Sequence, residues 1–129
     1  MKIICGQKKY LSYNQLEQMK QISYEEFLQV EIRSGTIIEV NNFLEARNHA
    51  YKIVVDFWGE IGIKKTSTQI TNYEKKDLLW KQILWVVNLP PKQVWKFMSE
   101  FLLTAFVDHE WTATLATVDS KITNGMKLL

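Results

Sequence analysis

The chain has 129 residues, enough for one domain with a modest core. Its 47% hydrophobic and 23% charged composition excludes a disordered chain, and a formal charge of +2 permits RNA binding without demanding it. The single cysteine, Cys5, excludes an intramolecular disulfide, the first residues hold too short an apolar run for a signal peptide, and no window approaches the ~20 apolar residues of a membrane span. A reducing, cytoplasmic setting without membrane insertion is the resulting expectation.

Residues 1–22 read as an appendage. Ser12 with Gln15 forms a candidate capping box, and Leu16 with Met19 supplies one helical contact, so a short helix is expected there. Ser23-Tyr24-Glu25-Glu26 is a stronger start signal, because the Ser23 hydroxyl and the Glu26 carboxylate can cap each other's backbone. A single helical turn ending near Leu28 should lead into the first strand.

From Val30 to Val40 the sequence alternates. Val30, Ile32, Ser34, Thr36, Ile38 and Val40 are expected on the core side, and Glu31, Arg33, Ile37 and Glu39 on the other. Gly35, inside the run, marks an expected bulge or bend. Tyr51, Ile53, Val55 and Phe57 form a second alternating run, and Gly59 and Gly62 bracket the turn into a third, Ile63 to Ile70. Tyr73 to Trp80 fits a helical connector. Gln82 to Leu89 is nearly all apolar and fits a central strand stopped by Pro90-Pro91, which cannot donate to a ladder. Phe101–Val107 and Ala113–Val118 supply later strands, and Asn124-Gly125 signals a turn. This order predicts an all-β chain: a five-stranded OB barrel over residues 23–129, with a short helix between strands three and four and appendages at both ends. A sandwich is the other architecture the pattern allows.

Nothing in the chain assembles into a catalytic constellation. His49 and His109 are isolated from Cys, Asp or Glu at metal-ligand spacing, so no metal is expected. Asp108-His109-Glu110 reads as a turn, since no nucleophile motif accompanies it. Cys5 reads as a free thiol, and the glycines never form a phosphate-cradling loop. The expectation is a protein that is not an enzyme, with no cofactor and no small-molecule substrate. The basic residues are more informative. Lys64-Lys65 lies in the third run and Lys92 and Lys96 follow the fourth strand, with Arg33 and Arg47 near the first and second. In an OB barrel the second and third strands and adjacent loops form the nucleic-acid face. A basic stripe there, with Tyr73, Trp95 and Phe97 nearby, would track a phosphate backbone and stack bases. Trp95 and Phe97, just after the prolines, also suit an apolar patch that accepts a peptide or a second subunit.

Four segments together resemble a known family: Val30-Glu31-Ile32-Arg33-Ser34-Gly35-Thr36-Ile37; Glu45-Ala46-Arg47 with Lys52-Ile53-Val54-Val55-Asp56-Phe57; Gly62-Ile63-Lys64-Lys65-Thr66-Ser67-Thr68-Gln69-Ile70-Thr71; and Val86-Val87-Asn88-Leu89-Pro90-Pro91. In order and spacing they resemble the small tRNA-binding OB domains, and within them the CsaA type of bacterial export chaperone. The resemblance spans about residues 23–129. It implies an OB fold, homodimerisation through the pieces flanking the barrel, and tRNA as a partner. The CsaA branch further implies binding of unfolded preproteins. Lys64 and Ser67 match the family's third-strand stretch, Asn88 the Asn before the proline loop, Lys92 the basic residue of that loop, and Ser99-Glu100 the pair after it. The chain departs from the pattern at Gln93 and Met98, where relatives are basic, at the glycine before the serine-containing segment, which is gone, at Phe101-Leu102, where relatives have Gly-Met, and at Leu44. The RNA-binding set implied is Lys64, Lys65, Ser67, Asn88, Lys92, Lys96 and Ser99. Lysines would neutralise phosphates while Asn88 and Ser99 hydrogen-bond to the backbone. The alternative set, for an apolar peptide, is Trp95, Phe97 and Phe101. A third reading is an accessory domain docking on an aminoacyl-tRNA synthetase.

Overall fold

The computed structural model describes residues 19–129, so Cys5 and the part before Met19 of the helix expected within residues 1–22 lie outside the described residues. Helix α1 (Tyr24–Leu28) starts at the anticipated capping box: the Glu26 amide donates to Ser23 Oγ at 3.0 Å, and the Ser23 amide donates to Glu26 Oε1 at 2.8 Å. Strands β1 (Ile32–Asn42), β2 (Tyr51–Asp56) and β3 (Ile63–Thr68) follow, then the four-residue helix α2 (Lys75–Leu78), then β4 (Gln82–Val86). The remaining strands are short: β5 (Lys92–Val94), β6 (Phe97–Ser99), β7 (Leu102–Leu103), β8 (Ala105–Val107) and β9 (Ala113–Leu115).

Five strands form one antiparallel sheet in the order β3-β2-β1-β4-β7. Its two ends approach each other. The free edge of β3 meets the segment just before β7: the Glu100 amide donates to the Lys65 carbonyl at 3.0 Å, and the Thr66 hydroxyl donates to the Phe101 carbonyl at 2.7 Å. These bonds nearly close the barrel and protect an edge that would otherwise be unpaired. Strands β5 and β6 form a separate hairpin beside β3, and β8 and β9 form a second.

Long β1 serves two partners in succession. Ile32–Thr36 pair with β4 and Thr36–Asn42 with β2. The β1 edge left open at Ile32–Ser34 is filled by the C-terminal segment, through the Ser34 amide to the Met126 carbonyl (3.0 Å), the Gly125 amide to the Ser34 carbonyl (2.7 Å) and the Leu128 amide to the Ile32 carbonyl (2.9 Å). Lys127 Nζ then donates to Glu31 Oε2 at 2.9 Å, and Arg33 donates to Glu31 Oε1 at 2.7 Å. This double bond to cations, Lys127 first, holds the Glu31 carboxyl below its ordinary range.

The bend in β1 is not where its glycine suggested. The register slips between Ile37 and Glu39, so Ile38 is the extra residue. That slip reverses the inward phase: Gly35 and Ile37 face the core before it, and Val40 packs on the core after it. Ile37 is therefore fully buried, contrary to the uninterrupted alternation expected from the sequence. Gly35 is required by close packing instead. A Cβ there would stand 2.6 Å from Val55 Cγ1 and 2.7 Å from Phe57 Cε1.

The core centres on Trp85, Phe57 and Phe101. Phe57 and Phe101 meet edge to face at 5.0 Å, and Trp85 meets Phe101 likewise at 5.0 Å. The Trp85 indole N–H, buried with its ring, donates to the Gly35 carbonyl at 3.1 Å, so no polar group is orphaned. Ile53, Val55, Ile70, Leu78 and Ile83 complete the core with no exposed surface. Each such side chain contributes roughly 1.5–3 kcal/mol of transfer free energy. Helix α2 sits where a helical connector was expected, shorter than Tyr73–Trp80, and Leu78 is its one buried residue.

Candidate nucleic-acid face

The period of two sorts β2 and β3 into faces. Tyr51, Ile53 and Val55 go inward, leaving Lys52, Val54 and Asp56 outward. On β3, Thr66 and Thr68 are buried, while Lys65 and Ser67 share the outward phase with their partners Val54 and Lys52. Adjacent residues on a strand cannot share a face, so Lys64, opposite Val55, takes the inward phase and is half-buried. The expected Lys64-Lys65 stripe is therefore split: Lys65 belongs to the outer face and Lys64 does not.

The β5–β6 hairpin folds against this outer face. Register pairs Lys92 with Ser99 and Val94 with Phe97, so these four share one side, and Gln93 and Met98 take the other. Ser99 seats the hairpin on β3. Its Oγ lies 2.8 Å from Ser67 Oγ and accepts from the Ser67 amide at 3.1 Å. Glu100 adds a carboxylate that accepts from the Lys65 amide at 2.9 Å.

This docking places the Phe97 ring between lysines. Lys65 Nζ is 5.3 Å from the ring centroid and Lys52 Nζ 5.5 Å. Phe43, at the end of β1, stands 5.5 Å from Phe97, and Lys52 Nζ is 4.8 Å from its centroid. Ring faces attract ammonium groups, so the cluster holds two cations in place. Lys52 also stands 3.8 Å from Glu45, an exposed pairing of little energetic weight. Among the described residues, no carboxylate lies within ion-pair distance of Lys65, Lys92 or Lys96. Lys96 and Trp95 form the two-residue tip of the hairpin, both exposed.

The structure thus brings together Lys65, Ser67, Lys92 and Phe97 of the expected residues, with Lys96 at the exposed hairpin tip. It adds Lys52 and Phe43, which sequence reasoning missed. The signal for Lys52 was present, since it is the outward residue next to Tyr51 in an alternating run.

Other expected residues do different work. Asn88 is a clamp: its Oδ1 accepts from the Glu31 amide at 3.0 Å and its Nδ2 donates to the Gln29 carbonyl at 2.7 Å, tying the end of β4 to the α1–β1 link. Ser99 is buried against Ser67 and serves as a strut. Phe101 is 5% exposed between Phe57 and Trp85, so it is core and offers no peptide pocket. Tyr73 accepts from the Leu115 amide through its hydroxyl, and Arg33 is committed to Glu31 and the Gly125 carbonyl. Asp108 closes its turn as expected. Its carboxylate accepts from the Thr112 and Glu110 amides, which lowers its pKa. Among the described residues no cluster of His, Cys, Asp and Glu could hold a metal ion, and no helix is long and apolar enough to cross a membrane.

No family model matches the chain. Individual relatives do. It is 33% identical over 117 residues to a methionine–tRNA ligase of Pyrococcus furiosus, covering 87% of this chain and 15% of that protein. A methionine–tRNA ligase of Helicobacter pylori matches at 30% over 81% of this chain and 16% of its own length. The chain therefore spans only about a sixth of these enzymes. Solved structures match over most of this chain. The CsaA chaperone protein of Picrophilus torridus is 41% identical with a TM-score of 0.79, covering 84% of this chain and all of that one. The CsaA chaperone of Bacillus anthracis is 38% identical with a TM-score of 0.80, covering 85% of this chain and all of that one. A MetRS-related protein of Pyrococcus horikoshii, 20% identical with a TM-score of 0.76, shares the fold. At this identity over the full length of the solved relatives, the nearly closed five-stranded barrel described above is that of the CsaA family of tRNA-binding-type OB domains, and this chain belongs to it.

Proposed function

We propose that this chain is a non-enzymatic cytoplasmic module that binds tRNA on the outer face of β2–β3 and the β5–β6 hairpin. The observation that carries the reading is the pair of ammonium groups, Lys52 and Lys65, held on the Phe97 ring beside Lys92. Phosphates meeting these lysines release counterions, which drives association. Recognition rests on the shape of folded RNA, because its deep groove is closed to side chains. The sequence match to tRNA ligases supports the choice of tRNA. The test is a fluorescence-anisotropy titration of unfractionated tRNA. Lys65→Glu combined with Lys92→Glu should abolish binding, and an unchanged affinity would show that this face is wrong.

A second reading is a chaperone for extended apolar peptides, as the names of the solved relatives suggest. It is favoured by exposed Trp95 and Met98 on the hairpin. Such binding would be nearly indifferent to salt, since apolar burial drives it. In the same assay with a labelled apolar peptide, a steep salt dependence would rule it out.

We also propose that the chain is a homodimer built on the flanking pieces. Tyr24, Leu89, Met126 and Leu128 on or beside those pieces are large, apolar and 43–62% exposed. Light scattering should return about twice 15.2 kDa, and a single-chain mass would exclude it.

A further inference from the structure

The backbone treats four tryptophans as if they were glycines. Among the described residues, the non-glycine positions with positive φ are Trp58 (59°), Trp80 (71°), Trp95 (59°) and Trp111 (66°), and no others. Only a few per cent of non-glycine residues adopt this conformation, mostly Asn, Asp and His. At that rate, finding four of five tryptophans there has odds on the order of one in 100,000. No Asn or Asp does so here. A common cause acting on one residue type is required.

Each of the four occupies a position where turn chemistry calls for glycine. Trp80 follows the C-cap residue Leu79 of α2, the site at which a left-handed glycine ends a helix. Trp95 is the first central residue of a two-residue hairpin loop, where positive φ is demanded by the strand twist. Trp111 ends the three-residue loop closed by the Asp108 amide to the Thr112 carbonyl, and its own amide donates to the Asp108 carbonyl at 2.9 Å. This is a turn followed by one left-handed residue, the usual place for glycine. Trp58 precedes Gly59, also left-handed, in the β2–β3 turn. All four residues are 58–67% exposed. Trp85 is the internal contrast: it lies in a strand, is fully buried, and its indole N–H has a partner.

We infer that positions 58, 80, 95 and 111 are glycine in the protein as its own cell makes it. Tryptophan and glycine are two of the meanings that UGA, a stop in the standard code, takes in different variant codes. Four UGA codons read as glycine would produce this coincidence of one residue type with four glycine turns. The inference also bears on the ligand face. A glycine at position 95 leaves Lys96 as the one side chain at the hairpin tip, so the tip presents a cation to phosphate. It also removes the largest ring from the peptide-binding reading, while Phe97 and its lysines stay in place.

The test is peptide mass mapping of the protein purified from the cells that encode it. Peptides spanning the four positions should each be lighter by one tryptophan-to-glycine difference. Tryptophan in those peptides, or the ordinary codon UGG at those positions in the gene, would overturn the inference. A second measurement addresses the backbone argument itself. The recombinant variant Trp58→Gly/Trp80→Gly/Trp95→Gly/Trp111→Gly should melt about 10 °C higher than the tryptophan form, as left-handed strain is relieved at four sites. An equal or lower midpoint would overturn it.

Discussion

The lysine–phenylalanine cluster makes a quantitative claim about salt. Lys52, Lys65, Lys92 and Lys96 are the cations that the β2–β3 face and its hairpin present together. If each neutralises one phosphate, log affinity should fall against log salt with a slope of about −3. Raising salt from about 50 to about 200 mM then weakens binding about 60-fold. The double variant Lys52→Gln/Lys65→Gln leaves two contacts, halving the slope to about −1.5 and the loss to about 8-fold. Lys64→Gln is the matched control. It removes the same charge one residue away, but from a side chain on the inward phase of β3, and should leave the slope nearly unchanged. The assay is anisotropy of labelled tRNA at four or more salt concentrations for the three proteins. A slope that falls for Lys64→Gln by the quarter expected from one lost phosphate contact would refute the face assignment, because strand alternation puts that side chain on the other phase.

Three other outcomes follow from the fold. Gly35→Ala puts a methyl within 2.6–2.8 Å of Val55 and Phe57, both fully buried, so it should destabilise by roughly 1–3 kcal/mol in urea titration; a neutral result would mean the core can give way there. Asn88→Ala breaks both clamp hydrogen bonds and should cost about 1–2 kcal/mol of stability with no change in tRNA affinity; the reverse pattern would return Asn88 to the binding face. Glu31 has a lowered pKa in the fold, so the folded chain binds fewer protons there than the unfolded chain does. The stability it contributes is complete above the ordinary carboxylate range and is lost as pH falls through the lowered value. The melting-temperature gap between the parent protein and Glu31→Gln should accordingly shrink on acidification below about pH 5. A gap constant with pH would show that the Lys127 and Arg33 contacts do not govern this ionisation.

Much of this protein was legible because its information is local. The capping box at Ser23 and Glu26, the alternation of Tyr51 to Phe57 and the connector before β4 depend on neighbours in the chain, and all are found in place, whereas β4 ends at Val86, short of the prolines expected to stop it. The spaced segments led to the right family for the same reason. What the sequence could not reveal depends on pairing between distant strands. The slip at Ile38 moved Ile37 into the core, because register with β2 is decided by both strands together. Lys64 and Lys65 parted because the barrel has an inside, and Phe101 entered that inside because the edge of β3 needed partners from the segment carrying it. Asn88 reads as a ligand residue in isolation and as a clamp once Gln29 and Glu31 fold beside it. Lys52 and Phe43 joined the site only when the hairpin carrying Phe97 was laid across them. Local chemistry thus determined which elements form, and long-range packing decided which side chains they turn toward a ligand.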